Sequence, residues 1–194
     1  MIIGITGGMG CGKSAVAAMF ERQSFQRIDS DALVRGQVLT LPAVIDRLRD
    51  RFGQGVITKE GVVDRAQLAQ RAFAHESDRL WLEELTHPLL FELWREKMIT
   101  APTGLWAVEV PLLFEKNLEN WFDFTLCVAC APNQQLARLE QRGLPHALAE
   151  QRISKQLPLA RKIELADFVL WNDGTVQFLQ DQVNELIHKL QVAS

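Results

Sequence analysis

The sequence has little excess charge of either sign. It contains 21 lysines and arginines against 24 aspartates and glutamates, which gives a formal net charge of −3 at pH 7. A protein that binds nucleic acid or an anionic membrane through bulk charge would carry a clear basic excess. The composition supports neither partner, although a phosphate-bearing small molecule needs only a few local cations.

Cysteine is also scarce, with only Cys11, Cys127 and Cys130 in the chain. An odd and sparse set does not build a disulfide framework. Cys127 and Cys130 have the C-x-x-C spacing of metal ligands, but the chain offers no second pair to complete a zinc site. Because Cys127 falls in the apolar run 124–129, we predict that it is a core residue of a strand in a protein of a reducing compartment.

Long apolar runs are missing as well. No stretch approaches the ~18 consecutive apolar residues of a membrane-spanning helix. Residues 1–6 lead directly into glycines and Lys13. A secretory signal would instead have a basic region followed by a long apolar one. We therefore expect no membrane association and a cytoplasmic location.

The rest of the composition is that of an ordinary globular protein. Hydrophobic residues make up 47% of the 194 residues and charged residues 23%, enough for a core with one or two inserted subdomains. Short apolar runs rich in β-branched residues predict five strands. They span 2–6, 25–28, 105–110, 124–129 and 168–170. Helical patterns separate these strands, which indicates a parallel α/β sheet.

Several predicted helices have clear end signals. The first one follows a glycine-rich loop and spans 13–23. Pro132 suits the first turn of a later helix that stops at Gly143, and Pro145 opens another short one. Thr175 is the predicted N-cap of the last helix. Its apolar positions 179, 183, 186, 187 and 190 form one stripe.

The stretch 32–99 is mostly helical in pattern, apart from glycine-rich turns within 52–64. Its predicted interior side chains are Leu80, Leu85, Leu89, Leu90, Leu93 and Trp94. His87 precedes Pro88, and a residue before proline is biased toward extended backbone geometry. We therefore expect extended backbone at His87.

The loop between the first strand and the first helix carries the strongest chemical signal. Gly7 to Ser14 reads GGMGCGKS, which fits G-x-x-x-x-G-K-[ST] at each fixed position. Glycines let the backbone wrap around phosphate oxygens, and successive N–H groups then point at the anion. In this motif Lys13 reaches the β- and γ-phosphates and the Ser14 hydroxyl ligates Mg²⁺. We therefore predict binding of ATP with Mg²⁺.

Phosphate loops also serve GTPases and large ATPases, and the sequence argues against both. The string closest to the guanine-reading motif [NT]-K-x-D, at 58–61, has Gly61 where aspartate is required. The D-x-x-G string at 50–53 follows a charged helical stretch and not a strand. A large ATPase would usually need a longer chain. A small-molecule kinase fits best, with a non-catalytic ATP-binding regulator as the more distant alternative.

A second motif, Asp29-Ser30-Asp31, ends the second predicted strand. Ligands of parallel α/β sheets bind at the carboxyl ends of strands. Residues two apart in an extended chain point the same way, so both carboxylates would face the phosphate loop. One could accept a proton from a substrate hydroxyl while the other holds the waters of Mg²⁺. The alternative is that Ser30 or Asp31 is the N-cap of the following helix.

A third set follows the fourth predicted strand. Arg138 and Arg142 are four residues apart and share one helix face, with Gln135 one turn earlier. Two guanidiniums on one face bind spread-out phosphate charge well. The alternative is a solvated face on which they pair with Glu140 or Glu150.

Two acidic residues lie at or shortly after the end of the third predicted strand. Glu109 ends it, where the carboxylate of a Walker B motif would stand beside the metal. Glu115 lies a few residues further on, and its plain interpretation is a surface residue near a helix start. Neither position decides the reaction by itself.

Along nearly its whole length the sequence resembles the dephospho-CoA kinase family. The strings that carry this resemblance are GITGGMGCGKS at 4–14, IDSDALVR at 28–35, FGQGVITKEGVVDRAQLAQRAF at 52–73, HP at 87–88, VPLLFE at 110–115, the set Gln135, Arg138 and Arg142, and AD-x-V-L-x-N-x-G at 166–174. The phosphate loop alone is generic, whereas the combination is specific. The family normally has alanine between the two aspartates, where this sequence has Ser30, and relatives vary at the position of Glu109.

The resemblance implies in-line phosphoryl transfer from ATP to the 3′-hydroxyl of dephospho-coenzyme A, the last step of coenzyme A biosynthesis. Asp31 becomes the expected base with Asp29 in support, and Arg138 and Arg142 become lid residues that join Lys13 in catalysis. The implied nucleotide-binding set is Gly8, Gly10, Cys11, Gly12, Lys13, Ser14, Ala15 and Asn172. The implied acceptor-binding set is Asp29, Asp31, Arg35, Arg65 and His87, and the implied metal-binding pair is Ser14 and Asp29. His87 has the plain alternative of bonding only to backbone.

The implied fold is a three-layer P-loop NTPase with a five-stranded parallel sheet, a helical substrate-binding insertion and a lid. The nucleotide-binding core would comprise 1–31, 101–135 and 166–194, the helical subdomain 32–100 and the lid 136–165. The expected partners are ATP and dephospho-CoA, with no nucleic acid and no membrane. The sequence leaves the oligomeric state open, with a monomer slightly favoured. Another small-molecule P-loop kinase, such as a nucleoside or nucleotide kinase, is the nearer alternative.

Overall fold

The computed structural model describes residues 1–192 and divides the chain into two compact units. One unit comprises Met1–Asp29 and the chain from Thr103 onward, and the other is Ser30–Pro102. The strands are β1 Ile2–Gly7, β2 Gln26–Asp29, β3 Trp106–Glu109, β4 Phe124–Ala129 and β5 Phe168–Trp171. The α-helices are α1 Lys13–Glu21, α2 Ser30–Gly36, α3 Pro42–Phe52, α4 Arg65–Ala72, α5 Glu76–Ile99, α6 Pro132–Gln141, α7 His146–Ser154, α8 Leu159–Leu165 and α9 Val176–Val192. Within residues 1–192 no helix has the length and apolarity of a membrane span.

The first unit is built on one sheet in which all five strands are parallel. Their order is β2-β3-β1-β4-β5, so β1 is central. Ile5 on β1 lies opposite Glu109 on one side and Leu126 on the other. The five predicted strands are all confirmed, with ends that differ by no more than one residue. The carboxyl ends of β1 to β4 therefore lead into the loops that carry the candidate site.

The two faces of the sheet are covered by different elements. Ile3 and Ile5 point to the face on which α1 and α9 pack around one apolar core. Alternation turns Gly4 to the opposite face, where an added Cβ would meet the side chains of Phe122 and Leu113. Helix α8 contacts β1 and β4. The three-layer architecture is therefore confirmed.

The last helix forms as its sequence pattern predicts. Thr175 Oγ1 accepts a hydrogen bond from the Phe178 N–H at 3.1 Å, which is the contact of an N-cap. The predicted stripe on α9 is buried, comprising Leu179, Val183, Leu186, Ile187 and Leu190. This burial fastens the carboxyl-terminal helix to the core of the first unit.

The second unit is helical and has its own apolar core. Its buried members are Val38, Leu39, Val44, Leu48, Phe52, Val56, Ile57, Val63, Leu68 and Ala72. Trp81 of α5 packs edge-on against Phe52, with ring centroids 5.6 Å apart. Asp64 caps α4 by accepting hydrogen bonds from two backbone N–H groups in the first turn, at 3.0 and 3.1 Å. Local helix signals and core packing therefore agree in this unit.

Two predictions for the stretch 32–99 are wrong. Leu80 is exposed, because it lies on the outer side of α5 while Leu90 and Trp94 are buried. His87 is not extended, since α5 continues through Pro88 without a break. A long helix that is packed along its length can tolerate the one hydrogen bond that proline removes, so tertiary contacts override the local bias.

A buried ion pair fastens α8 to the segment after β3. Lys162 is fully buried, and its Nζ donates to the Pro111 carbonyl at 2.9 Å and contacts Glu115 Oε1 at 2.8 Å. Glu115 Oε1 also accepts a hydrogen bond from the Leu157 N–H at 3.0 Å. The plain interpretation of Glu115 as a surface residue is therefore wrong. Its carboxylate compensates a charge that would otherwise be isolated from water.

We expect Glu115→Gln to lower the free energy of unfolding by about 3–5 kcal/mol, the usual cost of leaving one buried charge unpaired. The matched control is Glu164→Gln, which breaks an exposed pair with Arg161 on the same helix. That change should cost less than about 1 kcal/mol. Urea denaturation of both variants measures the difference. Equal costs would show that Lys162 finds another partner.

Candidate active site

The backbone of the glycine-rich loop follows a path that side chains could not follow. Gly7, Gly10 and Gly12 have φ values of 141°, 81° and 101°. The turn closes when the Cys11 N–H donates to the Gly8 carbonyl at 3.2 Å. Gly12, which has no side-chain cap bond, then leads into α1, and the N–H groups in the first turn of a helix lack partners within the helix. The loop therefore has the concave, N–H-lined form that binds phosphate.

Neighbouring elements hold this loop in place from two directions. The Asn172 side chain, just after β5, donates from Nδ2 to the Cys11 carbonyl at 2.8 Å. Gln135 of α6 is buried against the loop, and a Cβ on Gly8 would overlap its amide. A Cβ on Gly12 would overlap the Asn172 amide in the same way. Asn172 thus contacts the loop itself, which places its side chain beside the expected phosphate site.

A pair of buried thiols lies beneath the loop. Cys11 Sγ is 3.1 Å from Cys130 Sγ, just past the end of β4. The hydrogen bond to Cys130, together with burial, raises the pKa of Cys11 far above its ordinary value. The pKa of Cys130 is lowered, mainly by its hydrogen bond with Cys11 and further by the Arg138 guanidinium. Cys127 is buried in β4 as predicted, and burial raises its pKa to about 11.

Lys13 lies at the start of α1 with its ammonium folded back over the loop. Its Nζ donates to the carbonyls of Gly7 at 3.2 Å and Gly8 at 3.0 Å. An ammonium has three donors on a flexible stem, so it can turn from carbonyl oxygens to phosphate oxygens. The cation is therefore already at the mouth of the loop.

Ser14 connects the loop to the end of β3. Its hydroxyl donates to Glu109 Oε2 at 2.8 Å. The other oxygen of Glu109 accepts hydrogen bonds from Arg27 Nε at 2.8 Å and Nη2 at 2.5 Å. Asp29 lies directly opposite Glu109 in the sheet, so the two carboxylates share a face. Hydroxyl and carboxylate oxygens are the hard ligands that suit Mg²⁺, so this donor set fits that ion.

The two arginines after β4 are in different environments. Arg138 is partly buried, and its Nη2 donates to the Asn172 carbonyl at 2.8 Å. Its Nη1 is buried without a hydrogen-bond partner among the described residues. Arg142 is exposed and caps the end of α6. A guanidinium with an unused donor beside a phosphate loop is suited to hold an anion.

The pairing of these arginines with nearby glutamates, which the sequence left open, is not what the structure has. Glu140 and Glu150 instead contact the ring of His146, at 2.5 and 3.5 Å. This arrangement follows from helix α7, which begins at His146 and brings its ring between the two carboxylates. The solvated-face interpretation therefore loses its supporting contacts.

The motif Asp29-Ser30-Asp31 does not stay extended. Asp29 is the last residue of β2, and α2 begins at Ser30. Asp31 therefore lies within the first helical turn, so the alternation that would have placed both carboxylates on one side does not apply. The N-cap interpretation of Ser30 and Asp31 is also wrong, because both residues are inside the helix. Asp31 is exposed.

The remaining expected acceptor residues all belong to the second unit. Arg35, in the last turn of α2, and Arg65, the first residue of α4, are exposed. His87 is half-buried in α5, with its ring centroid 5.8 Å from that of Phe91. The exposed arginines are available to an anionic ligand of this unit. Their roles stay predictions.

Comparison with known proteins shows the family to which this chain belongs. The sequence model described as Dephospho-CoA kinase matches residues 1–177. A curated relative with the name Dephospho-CoA kinase, from Thermosynechococcus vestitus, is 42% identical over 185 residues, which cover 94% of this chain and 91% of the relative. The chain belongs to the dephospho-CoA kinase family. It is thus a kinase, as the sequence resemblance predicted.

Solved structures of similar proteins have the same fold. A Thermus thermophilus protein, TT1252, superposes with a TM-score of 0.80 at 30% identity, covering 98% of this chain and 97% of that one. A dephospho-CoA kinase from Campylobacter jejuni gives a TM-score of 0.72 at 22% identity, with 97% and 96% covered. The second likeness, at its lower identity, supports the fold alone. The α/β P-loop kinase fold of this member of the family is therefore shown.

Sequence reasoning missed one residue of this site and undervalued another. Arg27 was not considered, although Arg27 and Asp29 alternate on the last positions of β2. Two charged residues at that spacing on one face of a short strand were the available signal. Glu109 is not in the expected metal-binding pair, yet it is the carboxylate that contacts Ser14.

We expect Arg138→Ala to lower kcat by about 10²–10³-fold while the melting temperature changes little, because the lost donors would act on transition-state charge. Arg142→Ala should also lower kcat if the lid closes over the phosphates. The matched control is Arg152→Ala, an exposed arginine of α7. Steady-state rates of the three variants decide the matter. Wild-type rates for both Arg138→Ala and Arg142→Ala would remove the lid assignment.

Proposed function

We propose that this chain transfers the γ-phosphoryl group of ATP to the 3′-hydroxyl of dephospho-CoA, giving coenzyme A. The observation that carries the proposal is the phosphate loop of Gly7 to Ser14, in which Gly7, Gly10 and Gly12 have positive φ and a Cβ on Gly7 would overlap the Val128 carbonyl. Such a loop, in a member of this family, is suited to hold the phosphates of ATP against α1. The reacting group would lie beyond Lys13 and Ser14.

The nucleotide-binding residues would act through backbone and side chain together. Residues from Gly8 to Ala15 would surround the phosphates through the N–H groups that loop carbonyls do not occupy, and Lys13 Nζ would exchange its bonds to Gly7 and Gly8 for phosphate oxygens. The turn 172–174 would lie beside the adenine, while the Asn172 side chain keeps its bond to the Cys11 carbonyl of the loop. Arg138 would direct its unpaired Nη1 at the phosphoryl group being transferred.

Magnesium fits the oxygen donors next to the loop. Ser14 would bind it directly, with Asp29 and Glu109 near its waters. When bound, Mg²⁺ neutralises charge on the β- and γ-phosphates. The Ser14 hydroxyl can keep its hydrogen bond to Glu109 while a lone pair of its oxygen faces the metal. The donor set therefore serves both the free and the loaded loop.

Asp31 is the proposed base. Its exposed carboxylate would accept the proton of the 3′-hydroxyl as the oxygen attacks phosphorus, and the bond from phosphorus to the ADP oxygen would break in line. Transfer is direct, so no phospho-enzyme forms and no nucleophilic Ser or Cys is required. Asp29 would support the base and help to orient the hydroxyl.

The helical unit Ser30–Pro102 is the proposed binding unit for the coenzyme A moiety. Arg35 and Arg65 would bind its phosphates, and His87 is a third candidate contact. Binding energy from the pantetheine arm, far from the reacting hydroxyl, can be used to orient that hydroxyl. Residues 136–165 are the proposed lid, whose closure would exclude water and limit ATP hydrolysis.

We further propose that the protein acts in the cytoplasm and without a nucleic-acid partner. The near balance of 21 basic and 24 acidic residues supports the last point. The buried free thiols Cys11, Cys127 and Cys130 support a reducing compartment.

A coupled assay with ATP and a panel of acceptors tests the function. We expect a large preference in kcat/KM for dephospho-CoA over adenosine and AMP, because only the first offers the pantetheine arm. Lys13→Ala should abolish transfer in a folded protein, since its charge is needed only with phosphate present. Equal kcat/KM for adenosine and dephospho-CoA would contradict the acceptor assignment. Near-normal turnover by Lys13→Ala would contradict the kinase mechanism.

We expect Asp31→Asn to lower kcat by about 10²–10⁴-fold, the range for a positioned acid–base group. Stability should fall by no more than about 1 kcal/mol, because Asp31 is exposed in the first turn of α2, where an acidic charge interacts favourably with the helix dipole. ATP affinity should survive. The matched control is Asp46→Asn, an exposed aspartate of α3 that pairs with Arg49 at 2.7 Å. A folded and fully active Asp31→Asn enzyme would refute the base assignment.

A further inference from the structure

Arg27 makes the strongest contacts of any side chain near the phosphate loop that the mechanism above leaves unused. Its Nε and Nη2 donate to the same oxygen of Glu109, at 2.8 and 2.5 Å. The Glu109 side chain is 6% exposed and that of Arg27 26%, so the pair is largely withdrawn from water. Charge-assisted hydrogen bonds in such surroundings fix geometry firmly.

The two oxygens of Glu109 have separate partners. Arg27 occupies Oε1 with two of its N–H donors, which leaves Oε2 for the Ser14 hydroxyl at 2.8 Å. A hydroxyl that donates its one hydrogen to Oε2 has its lone pairs directed away from Glu109. The rotamer of Glu109 therefore determines which way the Ser14 oxygen presents its lone pairs.

The sheet explains why Arg27 can impose this rotamer. Arg27 lies opposite Ala107, and Glu109 lies opposite Asp29, two residues further along the same pair of strands. All four residues therefore share one face, and Ala107 leaves room for the guanidinium to reach along β3. A planar guanidinium, with two N–H groups directed at one oxygen, fixes orientation better than an ammonium would.

We propose that Arg27 is a positioning residue that holds Glu109 so that Ser14 presents its oxygen to the Mg²⁺ of bound ATP. The chain of contacts runs from Arg27 through Glu109 to Ser14, and Arg27 itself touches neither metal nor nucleotide. This inference rests on the proposed function, because it assumes that Mg²⁺ and ATP bind at Ser14. Removing such outer-shell partners typically costs about 10–100-fold in metal affinity.

The test measures metal binding without turnover. Mn²⁺ replaces Mg²⁺ in this titration. The protein is present in excess over a non-hydrolysable ATP analogue, and Mn²⁺ is added stepwise. The concentration of free Mn²⁺ is read from its electron paramagnetic resonance signal. We expect Arg27→Met to raise the apparent Kd for Mn²⁺ by about 10–100-fold. The Kd for the analogue in EDTA should stay within about 2-fold, since the loop contacts without metal are untouched. Arg22→Met, an exposed arginine that bonds to Gln180 at 3.2 Å, is the matched control and should change neither value.

A double-mutant comparison separates positioning from general support. Glu109→Gln should weaken Mn²⁺ binding as well, and Arg27→Met should add no more than about 2-fold in the Glu109→Gln background, because the route through Glu109 is already broken. Arg27→Lys, which keeps the charge but not the fork, should give an intermediate Kd and also serves if Arg27→Met does not fold. Wild-type Mn²⁺ affinity in a folded Arg27→Met or Arg27→Lys protein would overturn the proposal, as would a full effect of Arg27→Met without Glu109.

The same data keep this inference distinct from the proposed function. A wild-type protein that binds the analogue with Mn²⁺ but phosphorylates no dephospho-CoA would contradict the acceptor assignment alone. The comparison of Arg27 variants would then still decide the positioning role. A wild-type protein that binds no Mn²⁺ with the analogue would contradict both.

Discussion

The close packing of the loop backbone against its neighbours is the constraint on which the site depends. Gln135 and Asn172 approach Gly8 and Gly12 so nearly that a Cβ at either position would overlap them. Residues from three separate parts of the chain must therefore meet with small tolerance. The parallel sheet makes this possible, because β1, β4 and β5 deliver their following residues to one edge. Without that alignment the loop N–H groups would have no fixed direction.

The groups around the phosphate loop are of two kinds, some fixed by hydrogen bonds and some able to turn toward a ligand. Asn172 holds the Cys11 carbonyl, and Glu109 holds the Ser14 hydroxyl, so these groups are fixed before any ligand arrives. Lys13 donates to loop carbonyls that it can exchange for phosphate oxygens, and Arg138 keeps one buried donor without a partner among the described residues. Preorganised oxygens and redirectable cations are what phosphoryl transfer requires, since positioning and charge stabilisation supply nearly all of its catalysis.

Local sequence patterns predicted much of this structure, and the predictions that are wrong have physical causes. β4 and the Thr175 cap were predicted to the residue because short-range chemistry alone decides them. The prediction of extended backbone before Pro88 is wrong, because packing along α5 outweighs the local conformational bias at His87. The prediction that Asp29 and Asp31 point the same way is wrong because β2 ends at Asp29 and α2 begins at Ser30. Arg27 and Lys162 were missed because their partners lie 82 and 47 positions away in the chain, which no periodicity reveals.

Glu109 and Glu115 of the first unit show how similar ion pairs can differ in their contacts. Glu115 holds the fully buried Lys162 and the Leu157 N–H with one oxygen, so its pair joins segments of the fold and faces no ligand group. Glu109 is bonded through one oxygen to the half-buried Arg27, and its other oxygen holds a hydroxyl of the phosphate loop. Breaking the Glu115 pair should lower the free energy of unfolding, whereas breaking the Glu109 pair should change the position of the Ser14 hydroxyl in the phosphate loop. The expected roles therefore differ by what else each carboxylate contacts, a backbone N–H for Glu115 and a hydroxyl of the phosphate loop for Glu109.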